Sequence, residues 1–205
     1  MSYLRTFLPW IVYAALAGHT ASAQQRGTLA ALAVTVLVIA YKVRKERSTF
    51  EALIIEAGSA VFFAAMAIVA FAAPHSGALT YAAALSSATL AVIAWASLAV
   101  GHPFTLGIAK QSTPPAVWRQ PAFAHSNVVI TTIWAVSLTV SAAILVVVIH
   151  AGADVIVRIL FQVLGFVVPM ACTARYVKIV HARAHQAAGY AHPGAHVRPL
   201  SPERR

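Results

Sequence analysis

The chain has 205 residues, 60% of them hydrophobic and only 10% charged, with a formal net charge of +10. Soluble domains carry about 25% charged residues, and a water-soluble globule of this size could not hide so much apolar surface. The positive charge does not imply nucleic-acid binding, because the basic residues sit in short clusters between apolar runs and are not spread over one face.

Segments 27–41, 57–109, 120–153 and 159–174 contain no Asp, Glu, Lys or Arg. A run as long as 57–109 holds two passes of the ~20 residues that a helix needs to cross a ~30 Å hydrocarbon layer. This predicts an all-α polytopic membrane protein with helices over 7–23, 27–41, 52–73, 79–100, 124–150 and 155–174. Residues 1–175 would form one membrane domain of three helical hairpins, and 176–205 a basic, His-containing cytoplasmic tail, largely disordered beyond the last helix.

The first segment reads in two ways. Arg5, the apolar run Phe7–Ala17 and then Ala21-Ser22-Ala23 suit a retained helix, but also the three regions of a secretory signal peptide cleaved after Ala23. A polar turn is expected at Gln24–Arg26. The second helix runs into the cluster Lys42, Arg44, Lys45 and Arg47, and Ser48-Thr49-Phe50-Glu51 reads as a capping box opening the third. Glu56 follows, either as a proton or cation site in a transporter, or as a side chain that stays in the headgroup layer or pairs with an inside-facing Lys or Arg.

Ala73-Pro74-His75-Ser76-Gly77 cannot continue a helix. After the small-residue fourth helix comes Gly101–Phe123, the one long internal connection, holding Pro103, Pro114, Pro115 and Pro121 among aromatic residues. Such a segment suits an interfacial position, with Trp118 and Phe104 as anchors. The fifth helix ends at His150-Ala151-Gly152-Ala153-Asp154, a Gly stop followed by an acid placed for the next first turn. In the sixth helix, Asp154, Arg158 and Gln162 recur every four residues. They read as an anion or lipid-headgroup stripe, or as an intrahelical ion pair with a snorkelling Arg. Pro169 should kink this helix, and Cys172, the single cysteine, reads as a small packed hydrophobe.

The connections 42–49 and 101–123 and the C-terminal segment carry most of the cations, so they should face the cytoplasm together with both termini. His19, His75 and His150 then gather near the outer helix ends, a weak haem or metal signal beside the reading of polar caps. His181 and His185 stand at i and i+4, but without a neighbouring carboxylate they fit a basic strip at anionic headgroups better than a metal site.

Several short motifs carry a family resemblance: Phe7-Leu8-Pro9, the basic stretch Lys42–Arg47, Pro103-Phe104-Thr105-Leu106 leading to Pro115-Ala116-Val117-Trp118, and Asn127 and Trp134 in the fifth helix. Their order resembles the intracellular septation protein A family, small bacterial inner-membrane proteins associated with cell division and envelope integrity. The likeness spans residues 7–175; extra residues between Trp118 and Asn127, and the basic tail, depart from it. The resemblance implies a bacterial inner-membrane location and envelope or division proteins as partners.

No Gly-rich phosphate loop, zinc-binding helix pair or nucleophile elbow occurs, and only five acidic residues exist in the chain. The expectation is therefore a non-enzymatic membrane protein without a cofactor, and the resemblance implies that it organises envelope or division components. A small transporter or lipid translocator using Glu56 and the Asp154/Arg158 stripe is the alternative from a second class. A haem- or quinone-linked redox component using the histidines is the third.

Overall fold

In a computed structural model, which describes residues 2–16, 18, 20–46, 53–111 and 113–190, the described residues are helical with short connections and no strand. The helices are α1 Ser2–Leu16, α2 Ala21–Tyr41, α3 Ile54–Ala72, α4 Gly77–Thr80, α5 Ala82–Ala99, α6 Phe104–Lys110, α7 Pro121–His150 and α8 Val155–Tyr190. A π-helical turn, Lys42–Glu46, prolongs α2, and a 3-10 turn, Pro115–Val117, follows α6. Among the described residues five helices are long and apolar enough to cross a membrane: α2 with its π-turn, α3, α5, α7 and α8. The chain is a multi-pass helical membrane protein.

Its side chains are distributed as a lipid environment requires. Leu37, Val61, Ile68, Val92 and Val147 are each about two-thirds exposed or more and point outward. Inside lie Thr28, Thr35, Ser59, Ser86, Ser97, Thr105, Asn127 and Thr131, all buried. Hydrocarbon solvates the apolar exterior, whereas polar side chains need partners within the bundle. Thr28, Thr35, Ser86 and Ser97 find them in carbonyls one turn earlier in their own helices.

Helices α1, α2 and α3 pack as one group and α5, α7 and α8 as another, with α3 against α5 joining them. At that seam Gly58 lets α3 approach closely, since a Cβ there would lie 2.3 Å from Ile93 Cδ1. Gly165 does the same for α8 on α7, where a Cβ would lie 2.3 Å from Ser141 Oγ. Both contacts follow the small-residue rule of membrane helix packing.

Several boundaries differ from the sequence expectation. Helix α2 starts at Ala21, where the Thr20 hydroxyl accepts from Ala23 N–H, so Gln24–Arg26 is helix and not a turn. Helix α1 spans 15 residues, about 22 Å at 1.5 Å per residue, short of a full ~30 Å crossing. At the other end α8 continues to Tyr190, so the first half of the expected tail prolongs the last helix. Residues 191–205, and the capping box at 48–51, lie outside the described residues.

The Gly stop at Gly152 behaves as read, and Gly101 ends α5 in the same way. Gly101 and Gly152 take φ of 74° and 69°, and the N–H groups of His102 and Ala153 reach back to the carbonyls of Ser97 and Val148. This pattern satisfies the last carbonyls of α5 and α7. The Ser76 hydroxyl accepts from Ala78 N–H after the Pro74 break, and Asp154 accepts from Ile156 N–H to open α8.

Candidate functional site

The basic end of the bundle, where α2 and α5 finish and α3 and α7 begin, holds the densest polar and aromatic constructions. Helix α1 runs from this end toward the opposite one with Thr6, Trp10 and Tyr13, spaced i, i+4 and i+7 and so on one face. Each makes a bond to another helix. Lys42 Nζ donates to Thr6 Oγ1 at 3.1 Å, Trp10 Nε1 donates to Ser59 Oγ at 2.9 Å, and Tyr13 Oη donates to Gln24 Oε1 at 3.1 Å. The Trp10 and Tyr13 rings also pack on Phe62 and Phe63. Sequence reading passed over this stripe, although its spacing was visible.

Glu56 is held by the same construction. It forms an ion pair with Lys42, and the two side chains are 1% and 3% exposed. Pairing with a Lys, one of the two sequence alternatives, is the geometry found, and Glu56 is buried and not solvated. Its Oε1 accepts from Lys42 Nζ, while Oε2 is buried without a hydrogen-bond partner.

The second construction centres on Trp134 in α7. Phe7 stacks on its ring at 5.4 Å, Phe104 and Phe166 meet it edge-on at 6.5 and 6.4 Å, and its Nε1 donates to Thr173 Oγ1. One residue thus ties α1, α6 and α8 to α7. The start of α6 is bound here as well: Phe104 N–H donates to Ser97 Oγ, and Thr105 Oγ1 donates to Asn127 O and lies 2.8 Å from Thr131 Oγ1. A cavity of about 10 Å³ remains between Phe7, Ile55, Phe104 and Trp134, scarcely enough for one water.

The two residues expected to anchor the long connection play different parts. Phe104 is 5% exposed and sits in the core. Trp118 is 38% exposed; its Nε1 donates to Thr113 O and Oγ1, and Lys110 lies over its ring at 5.8 Å. Trp118 therefore closes the connection on itself, and Phe104 with Thr105 fixes it to the bundle.

At the opposite end the Asp154/Arg158 pair does not form. Asp154 caps α8, and Arg158 Nε donates to Ala153 O at 2.9 Å. The carboxylate is already engaged by the helix N-terminus, so the guanidinium reaches the nearer carbonyl. Gln162 turns inward and donates to Ser86 Oγ at 3.1 Å, joining α8 to α5. Cys172 is exposed toward the lipid and not packed inside.

His75 and His150 are exposed, and His19 lies outside the described residues. His181 and His185 fall on the helical extension of α8, with side chains outside the described set. Among the described residues no three His, Cys, Asp or Glu side chains gather as a metal-binding group. No family model, curated protein or solved structure matches the chain.

Proposed function

We propose that this protein is a non-enzymatic, multi-pass protein of the bacterial inner membrane that organises envelope or division components through its basic, cytoplasmic end. The observation that carries this reading is the construction of the 101–123 connection. Its first half is keyed into the bundle by Phe104 and Thr105, and its second half exposes Pro114, Pro115, Ala116, Trp118 and Arg119 on a backbone held by the Trp118–Thr113 bonds. A docking surface needs such a fixed base and an exposed rim, because ordering a loop on binding costs affinity.

The motifs resembling the septation protein A family support the same reading, since Phe7, Phe104 and Trp134 from three of them meet in one aromatic cluster. The cations of 42–45, 110, 119, 175 and 178 gather at this end, which suits anionic headgroups and a cytoplasmic orientation of both termini.

Site-specific photocrosslinking in intact cells tests the proposal. A photoreactive residue at Arg119 should give a discrete crosslink to an envelope or division protein, and one at Ser76 should not. Loss of the protein should disturb the envelope or septum, with rescue by the parent chain but not by one with 114–119 replaced by Gly and Ser. Equal crosslinking from both positions would reject it. A substrate flux in liposomes abolished by Glu56→Gln would move the assignment to transport, and a Soret band in the purified protein would move it to redox chemistry.

A further inference from the structure

Helices α3 and α5 touch at Gly58 and Ile93 and part toward the basic end. The missing Cβ of Gly58 lets Ile93 press against α3, whereas four residues earlier, on the same face, Ile54 is a full side chain. Gly101, at φ 74°, then turns the chain off the end of α5, and α6 packs on α7. Between α3 and α5 this leaves a cleft of about 420 Å³, lined by Ile54, Ile93, Ala96, Ser97, Val100 and His102. That volume falls within the roughly 300–1,000 Å³ of sites for small organic ligands.

The wall of the cleft suits hydrocarbon better than water. The Ser97 hydroxyl already donates to Ala94 O and accepts from Phe104 N–H, and the other lining residues apart from His102 are apolar. A water held there would lack the two to four polar partners it needs. Ala96 and Val100 are exposed, as is Val92 one turn before Ala96, so the cleft opens onto the lipid-facing surface. The polar residue, His102, lies at the mouth, beyond the end of α5.

The charges at this level are positive. The Lys42–Glu56 pair sets the end of α2 against the start of α3. Two residues beyond Lys42 and two before Glu56, both chains have advanced by a similar step toward the basic end, which brings Arg44 and Lys45 level with Ile54. Both cations are exposed, and the one acid of α3, Glu56, is already paired with Lys42. We propose that the cleft binds one anionic phospholipid, with an acyl chain against Ile54, Ile93 and Ala96 and its phosphate in the field of Arg44 and Lys45. This is a site for a single lipid, retained when the surrounding bilayer is removed, and it stands apart from the docking surface on 114–119.

The test uses the full chain in mild detergent and equimolar phosphatidylglycerol carrying a diazirine in one acyl chain, photolysed and mapped by peptide mass spectrometry. Adducts should concentrate on Ile54 and on Ala96–Val100. Unlabelled phosphatidylglycerol should compete about tenfold better than phosphatidylcholine, the order expected of two cations near one phosphate. Ala96→Trp fills the cleft and should abolish the adducts, while Val92→Trp adds the same bulk to the open lipid face and should leave them. Arg44→Gln with Lys45→Gln should erase the preference between the two lipids. If Ala96→Trp does not give a folded protein by its melting curve, Val100→Trp fills the same cleft. Adducts spread evenly over Val61, Ile68 and Val147 would mark ordinary annular lipid and overturn the proposal. Equal competition by the two lipids, or equal loss of adducts in Ala96→Trp and Val92→Trp, would overturn it as well.

Discussion

Phe7 stacks on Trp134 with ring planes only 13° apart, joining the first helix of the chain to the penultimate one. With the bonds of Thr6, Trp10 and Tyr13, the contact makes α1, too short for a full crossing, part of the bundle and not an appendage to it. Trp134 serves α6 and α8 as well, so its removal should be felt across the whole basic end. Trp134→Ala should cost about 3–5 kcal/mol, the range for truncating a buried aromatic. A melting curve in mild detergent checks this; a melting temperature within a degree or so of the parent would show the cluster to be incidental.

Three interhelical bonds from Thr6, Trp10 and Tyr13 bear on the processing of the N-terminal segment. Cleavage after Ala23 would leave Lys42 and Ser59 without these partners inside an apolar bundle, and it would cut within the first turn of α2. Intact-mass spectrometry of the membrane-extracted protein should therefore find residues 1–23 present. A mature mass beginning at Gln24 would contradict the packing.

Topology is open to cysteine labelling once Cys172 is replaced by Ser. A cysteine at Ser76 should react with an impermeant maleimide in intact cells, and one at Gln111 should react only after the membrane is opened. The reverse pattern would invert the proposed orientation while leaving the helix packing untouched.

Phe104 and Trp118 should separate in limited proteolysis of inside-out vesicles. Trp118→Ala removes the bonds to Thr113 and should speed cleavage between residues 111 and 120 alone. Phe104→Ala opens the core contact with Trp134 and should expose the connection and also lower the melting temperature. If both variants are cut at the parental rate, neither residue orders the connection.

At the α7–α8 contact a Cβ on Gly165 would meet Ser141 Oγ at 2.3 Å and Ser141 Cβ at 2.8 Å. Gly165→Ala should destabilise by about 1–3 kcal/mol, the usual cost of overpacking. Adding Ser141→Gly should recover most of the loss, because the two changes exchange volume across one contact. Additive destabilisation in the double variant would show that the helices do not touch there.

Hydrophobic run length was enough to establish a helical, multi-pass membrane protein, because lipid leaves the backbone no other way to satisfy its polar groups. The stop at Gly152 and the break at Pro74 were equally legible, since they depend on local backbone geometry. The start of α2 at Ala21 was not: Gln24–Arg26 is polar enough to suggest a turn, yet Gln24 and Gln25 are held in α2 by partners on α1 and α3, Tyr13 and the Ala70 carbonyl. Tertiary structure alone decided the fate of the polar residues. Spacing brought Asp154 and Arg158 together, but the α8 N-terminus and a nearby carbonyl took them first. Lys42 and Glu56, 14 residues apart and on different helices, became a buried pair because α1 folds over them. Periodicity reports which face a helix presents; which neighbour occupies that face is settled only when the helices pack.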